Sequence, residues 1–475
     1  MIDISTLTIF SARKKLDSKE FSVVELVKTY LDEINRKNKD INAYLEIYND
    51  VLEQAKMADQ AITRGEIFPM TGIPIAVKDN ILIEGKTATS GSKILKGFVA
   101  PYDATVIKKL KSQHAVFLGR ANMDEFAMGS STENSAFGVT KNPLDPTRVA
   151  GGSSGGSVAS VAMGGALASL GSDTGGSVRE PTSFCGLVGL KPTYGGVSRY
   201  GLMALGSSLD VIGPVTKTVT DSEILWDAIK GQDKMDSTTY SEDVYPKNKN
   251  SKNKSLTIGV PYHILEKGLR GDVRKNFDES IEKLKKLGYK IKDIKLPNIG
   301  YSLAVYYIIM PAEASSNLAR FDGVKYGLHI DGNDLLSDYL KTRGMGFGEE
   351  VRRRILIGTY VLSTGYYEAY YNKAIHLRQT ISNDFQKAFT EVNAIALPTT
   401  TGPAFKIGEK ASDPLALYLE DVFTVPANIV GVPAISIPSG SVNDGGVDLP
   451  LGIQFMAPHN CEELLFEIGK KFLGE

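Results

Sequence analysis

Short apolar runs alternate with amphipathic segments along this chain, and that alternation restricts its fold more than any other feature. The run "GIPIAVKDN" ends in Lys78, Asp79 and Asn80 and reads as a buried strand that delivers a lysine at its C-terminal end. "DATVIKKLKSQHAVFLGR" follows as helix then strand, and "SVASVAMGGALASLGSD" repeats that order with small residues suited to close packing. Farther on, "SLTIGVPYH", "DVRKNFDESIEKLKKLG" and "YKIKDIKL" read as strand, helix and strand, with Val273, Phe277, Ile281 and Leu284 on one helix face. Such alternation predicts an α/β layered fold on a parallel or mixed sheet. No repeat of solenoid period is present.

Other local signals fill in the ends. Ser22 and Glu25 make a capping-box pair, and Val24, Val27, Leu31 and Ile34 recur at helical spacing, so an amphipathic helix is expected to open the fold. "SVNDGGVDLPLG" reads as the turn between strands "AISIP" and "GIQFM". Residues 245–255, "YPKNKNSKNKS", are basic and lack apolar residues after the first two, and read as an exposed connection rather than an RNA-binding tail.

Composition then excludes several functions. Lys plus Arg number 54 against 55 Asp plus Glu, a formal charge of -1, so the chain has no field of its own to hold nucleic acid, and contact with RNA would run through a partner. The first residues lack the apolar core of a signal peptide, and no segment approaches ~18 uncharged apolar residues. The chain is therefore expected to be cytoplasmic and free of membrane. Cys185 and Cys461 lie far apart without metal-ligand spacing and read as free buried thiols, so no metal is expected.

Chemistry concentrates in two glycine-serine clusters, "GGSSGGS" (151–157) and "DTGGS" (173–177). A phosphate loop would end in Gly-Lys-Ser/Thr, whereas Gly156, Ser157 and Val158 stand here, so a nucleotide site fits poorly. Dense backbone N–H groups also stabilise a tetrahedral oxyanion, and Thr174, Gly175, Gly176 and Ser177 can supply converging donors beside Ser177 as nucleophile. The five histidines, His114, His263, His329, His376 and His459, fall outside these clusters. A base must come from elsewhere. A neutral Lys78 relaying through a serine of the first cluster meets the need, provided that burial lowers its pKa.

"GIPIAVKDN", "GGSSGGSVAS" and "SDTGGSVREPTSFCGLVGLKPTYG" together resemble the three blocks of the amidase signature hydrolases, in order and spacing. The resemblance implies the amidase signature fold, a central mixed sheet covered by helices on both faces. It also implies a Ser-cisSer-Lys triad on Ser177, Ser153 and Lys78, with a cis peptide at Gly152-Ser153. Asp173 and Arg179 are read as orienting the loop, and Ser154 as hydrogen-bonding the backbone.

"NMDEFAMGSSTENSAFGVTKNP", "PAEASSNLARFDGVKYG", "GFGEEVRRRILIGTYVLSTGYYEAYYNKA" and "DVFTVPANIVGVPAISIP" extend the likeness over nearly the whole chain, toward the A subunits of bacterial glutamyl-tRNA(Gln) amidotransferases. One amidase domain over residues 1–475 is implied. Such subunits hydrolyse glutamine, and a B subunit uses ATP and Mg with the released ammonia to convert Glu-tRNA(Gln); a C subunit completes the heterotrimer. No cofactor is implied in this chain. Free glutamine carries opposite charges, and the resemblance places its carboxylate on Arg354 and its ammonium on Asp421, with Tyr306 lining the pocket. Helical geometry turns Arg352 and Arg353 away from the direction of Arg354. The chain departs from the usual pattern at Glu180 and Thr182, where Gln and Ala are usual, at Gly196 for Arg, and at Leu205 and Gly206 for Phe and Ala. A stand-alone amidase would share the triad but have no use for Arg354 with Asp421, and a non-catalytic phosphate-binding scaffold would need none of these residues.

Overall fold

The structure is a computed structural model that describes residues 2–241, 243, 256–266, 268–410 and 413–475. The basic stretch at 245–255 lies outside the described residues. An 11-stranded mixed sheet forms the centre. Its spatial order is Tyr44–Ile47, Val116–Ala121, Pro74–Lys78, Ala168–Asp173, Val211–Thr216, Val188–Lys191, Ala434–Asp444, Val447–Met456, Ala394–Pro398, Thr257–Val260 and Lys290–Asp293. Helices flank it, as the alternation of apolar runs predicts.

Strand direction decides where the chemistry gathers. Pro74–Lys78 runs parallel to both Val116–Ala121 and Ala168–Asp173, so Lys78 and Asp173 end neighbouring strands on the same edge of the sheet. Helix Gly155–Ala162 precedes Ala168–Asp173 and therefore begins at that same edge, bringing Ser153 and Ser154 with it. All three signature blocks thus meet outside the carboxyl ends of parallel strands, where open α/β sheets hold their ligands. The strand carrying Lys78 is buried at every position, which follows from its unbroken apolar run.

Three local expectations are refined. Helix Val23–Ile41 has the Ser22–Glu25 capping box, but its buried face is Val23, Leu26, Val27, Tyr30 and Ile34, with Val24 and Leu31 half-buried beside it. It does not open the fold, because helix Ile9–Asp17 precedes it with a capping box of its own on Thr8 and Ser11. The hairpin strands are longer than expected, running over Ala434–Asp444 and Val447–Met456, and the turn shrinks to Gly445 and Gly446. Both glycines have positive φ, +69° and +90°, as tight two-residue hairpin turns require. Among the described residues, no helix is long and apolar enough to cross a membrane.

Candidate active site

Lys78 is fully buried, and four serine oxygens surround its ammonium nitrogen. Nζ lies 2.8 Å from Ser153 Oγ, 2.8 Å from Ser154 Oγ, 2.9 Å from Ser172 Oγ and 3.3 Å from the Ser172 carbonyl. No carboxylate is within salt-bridge distance of it among the described residues. Burial consequently pulls its pKa from 10.5 down to about 7, against the opposing pull of Asp124, Asp173 and Asp210. A lysine in this setting is substantially neutral near pH 7 and can accept a proton.

The peptide between Gly152 and Ser153 is cis. Gly152 is required by contact: a Cβ there would lie 2.2 Å from Asp124 Oδ2 and 2.6 Å from the Ser131 nitrogen. Asp124 accepts the N–H groups of Thr132 at 2.8 Å and Asn134 at 3.0 Å, which fastens the 130–134 turn against the serine loop. Ser154 does more than the expected backbone bonding, since its hydroxyl touches Lys78 as well as the Ser172 carbonyl.

Ser177 lies on the turn that leaves strand Ala168–Asp173, with 7% of its surface exposed. Among the described residues its hydroxyl makes no hydrogen bond, and neither do the N–H groups of Thr174, Gly175, Gly176 and Ser177. This turn therefore presents unspent donors next to an open hydroxyl. Its shape depends on Gly176, whose φ is +143° and whose Cβ would fall 2.3 Å from Thr424 Oγ1. Thr424 in turn donates to the Gly175 carbonyl at 2.6 Å. The Thr174 hydroxyl is held by Asp210 at 2.7 Å.

Asp173 and Arg179 form a fully buried ion pair beneath the turn. Arg179 Nε reaches Asp173 Oδ2 at 3.1 Å, and its other nitrogens reach Gln454, Asn428 and the Thr424 carbonyl. Burial works to raise the Asp173 pKa, yet Arg179 outweighs it and holds the carboxylate down to about 2. The pair thus adds stability above the ordinary carboxylate range, and this is lost as pH falls through about 2. Arg179→Ala strands a buried carboxylate and is expected to destabilise the fold by ~3–5 kcal/mol, read as a lower urea midpoint. An unchanged midpoint would remove the orienting role given to this pair.

Arg354, Asp421 and Tyr306 gather nearby. Helix Glu349–Val361 buries Arg354 while leaving Arg352 exposed and Arg353 half-buried. Arg354 Nε donates to Glu350 at 2.6 Å, and the guanidinium carbon sits 4.9 Å from the Tyr307 ring and 4.8 Å from the Tyr418 ring. Asp421 accepts from the Ser130 hydroxyl at 2.9 Å and from the Tyr307 hydroxyl at 3.5 Å. Burial raises Asp421 to about 7, opposed by the Ser130 bond and by Arg354. Tyr306 packs on the serine turn, since a Cβ on Gly175 would meet its Cζ at 2.8 Å.

Several members of this site escape sequence reasoning. Ser172 and Asn80, whose amide lies 3.0 Å from Ser172 Oγ, complete the Lys78 environment. Tyr307, Tyr418 and Glu350 shape Arg354. Only Glu350 carries a usable signal, its i,i+4 spacing to Arg354. Of the thiols, Cys185 is buried and free as expected, while Cys461 is free and half-buried.

The family model described as Amidase matches residues 25–466. The chain is similar to the A subunit of the Ruminiclostridium cellulolyticum glutamyl-tRNA(Gln) amidotransferase, at 49% identity over 100% of this chain and 98% of that protein. It is equally similar to the A subunit of the Desulfatibacillum aliphaticivorans enzyme, at 50% identity over 98% and 96% of the two chains. The crystal structure of the A subunit of the Thermotoga maritima glutamyl-tRNA(Gln) amidotransferase superposes with a TM-score of 0.81 at 42% identity, covering 99% of this chain and 95% of that one. The chain belongs to the amidase family.

Proposed function

We propose that this protein hydrolyses glutamine to glutamate and ammonia as the A subunit of a tRNA-dependent amidotransferase. The observation that carries the reading is a pair of opposite charges, Arg354 and Asp421, both set against Tyr307, while the adjacent Tyr306 packs on the Gly175 turn. Glutamine bound with its carboxylate on Arg354 and its ammonium on Asp421 extends its amide toward Ser177. A general amidase has no need of that pair.

This reading gives each group of the site a step. Neutral Lys78 takes the Ser153 proton as Ser153 takes that of Ser177, and Ser177 Oγ attacks the amide carbon. The oxyanion forms against the free N–H groups of Thr174, Gly175, Gly176 and Ser177. Collapse expels ammonia, which carries off the proton returned through Ser153, and leaves a glutamyl ester on Ser177. Water activated along the same relay hydrolyses that ester to glutamate.

In this reading one amidase domain spans the chain and works in the cytoplasm without a cofactor of its own. B and C subunits complete a heterotrimer in which B binds Glu-tRNA(Gln), ATP and Mg. The names of the similar A subunits support that assembly, and a net charge of -1 accords with tRNA being held elsewhere. Co-expression with candidate B and C chains, followed by purification on a tag carried by this chain, tests it.

Substrate choice tests the pocket. Loss of a charge-assisted contact costs about 1.5–3 kcal/mol, so Arg354→Ala is expected to lower kcat/KM for glutamine by roughly tenfold or more. Turnover of simple uncharged amides, poor in the wild type, is expected to change little. Equal losses on both substrates would favour a stand-alone amidase.

A further inference from the structure

Glu180 is a residue that the proposed chemistry does not use. It stands in the first turn of helix Arg179–Cys185, fully buried, and its Oε2 accepts the Gly152 N–H at 2.8 Å. Gly152 is the residue joined by the cis peptide to Ser153. The other carboxyl oxygen, Oε1, is buried without a hydrogen-bond partner among the described residues.

The charges around Glu180 are acidic. Asp421, Glu420 and Asp124 face it, and the Cys185 thiol lies within its influence on the same helix. Arg179, its neighbour in sequence, is turned to Asp173, Gln454 and Asn428. Among the described residues this fully buried carboxyl has one hydrogen bond and no cation beside it, and burial followed by the charge of Asp421 pushes its ionisation well above the ordinary range.

We infer that Glu180 is a positioning residue for the bridging serine: its carboxyl holds the Gly152 N–H and so fixes the backbone from which Ser153 reaches Lys78. The inference rests on the reading of Ser153 and Ser177 as relay and nucleophile. Losing this bond misplaces the relay without touching the pocket around Arg354, so kcat falls and KM does not.

The test pairs glutamine kinetics of the full chain with the rate at which a fluorophosphonate labels Ser177, located by peptide mass spectrometry. Glu180→Ala is expected to lower both kcat and the labelling rate by about tenfold or more, with KM within about twofold. Glu180→Gln, neutral and of the same shape, is expected to restore most of the rate. Should melting show the alanine variant unfolded, Glu180→Asp withdraws the carboxyl by one methylene and is expected to give the same loss. An alanine variant, or the aspartate variant in its place, that labels at the wild-type rate overturns the inference. So does a glutamine variant as slow as the alanine one, because its amide oxygen can still accept the Gly152 N–H and that bond would then not set the rate. Wild type labelled at Ser177 with no effect of Glu180 removes this inference alone, whereas wild type labelled at another residue removes the triad reading as well.

Discussion

Replacing Ser177 by alanine is expected to lower glutamine hydrolysis by at least about 10³-fold, because it removes the hydroxyl proposed to carry the acyl intermediate. The fold is expected to survive: among the described residues the hydroxyl makes no hydrogen bond, so alanine leaves no polar partner unpaired. Incubation with labelled glutamine and rapid acid quench should trap an ester on Ser177 in wild type only. The cysteines are poor rivals. Burial raises the thiol pKa of Cys185 far above neutrality and that of Cys461 to about 11, so neither is a thiolate at pH 7. Label on either cysteine would nevertheless overturn the assignment. In an assembled, ATP-competent complex, ammonium supplied in place of glutamine bypasses Ser177, so the variant is expected to amidate Glu-tRNA(Gln) at the wild-type ammonium-dependent rate. Failure of that rescue would mean that Ser177 does more than release ammonia.

What can be read from the sequence divides along a physical line. The strand bearing Lys78 and the two glycine-serine turns are legible because each imposes a local demand: an unbroken apolar run for a buried strand, and glycine where a Cβ would meet Asp124 or Thr424. The face of helix Gly271–Lys286, with Val273, Phe277, Ile281 and Leu284 buried, is legible for the same reason. Contacts across long stretches of chain leave no such mark. Ser172 reaches Lys78 across 94 positions, and Ser130 reaches Asp421 across 291, through nothing more distinctive than a serine. The outer halves of the Ala434–Asp444 hairpin escape notice because they leave the core, so their residues lose the apolar pattern while keeping the ladder. Resemblance, rather than spacing, singles out Arg354 from its neighbours, and burial of Arg354 between Tyr307 and Tyr418 gives that choice a physical basis.

The second large effect concerns Lys78. Lys78→Arg keeps a positive charge but places a permanently protonated guanidinium where a base is needed, and it is expected to lower the rate by about 10³-fold or more. The wild-type rate carries a matching signature in pH. A base must be deprotonated to act, so the rate should rise about tenfold per unit below the Lys78 pKa and level off above about 7. Glutamine kinetics alone blur this limb, since burial raises Asp421 to about 7 and Asp421 is the group proposed to meet the substrate ammonium. Phosphonylation of Ser177 by an uncharged fluorophosphonate, which expels fluoride, removes that second group from the measurement, because the reagent offers Asp421 no ammonium to bind. A single limb centred near 7 is then the expected profile. A limb near the unperturbed lysine value of 10.5 would show that burial does not depress Lys78. Near-normal phosphonylation of the arginine variant would show that the lysine is structural and that Ser153 relays its proton to another acceptor.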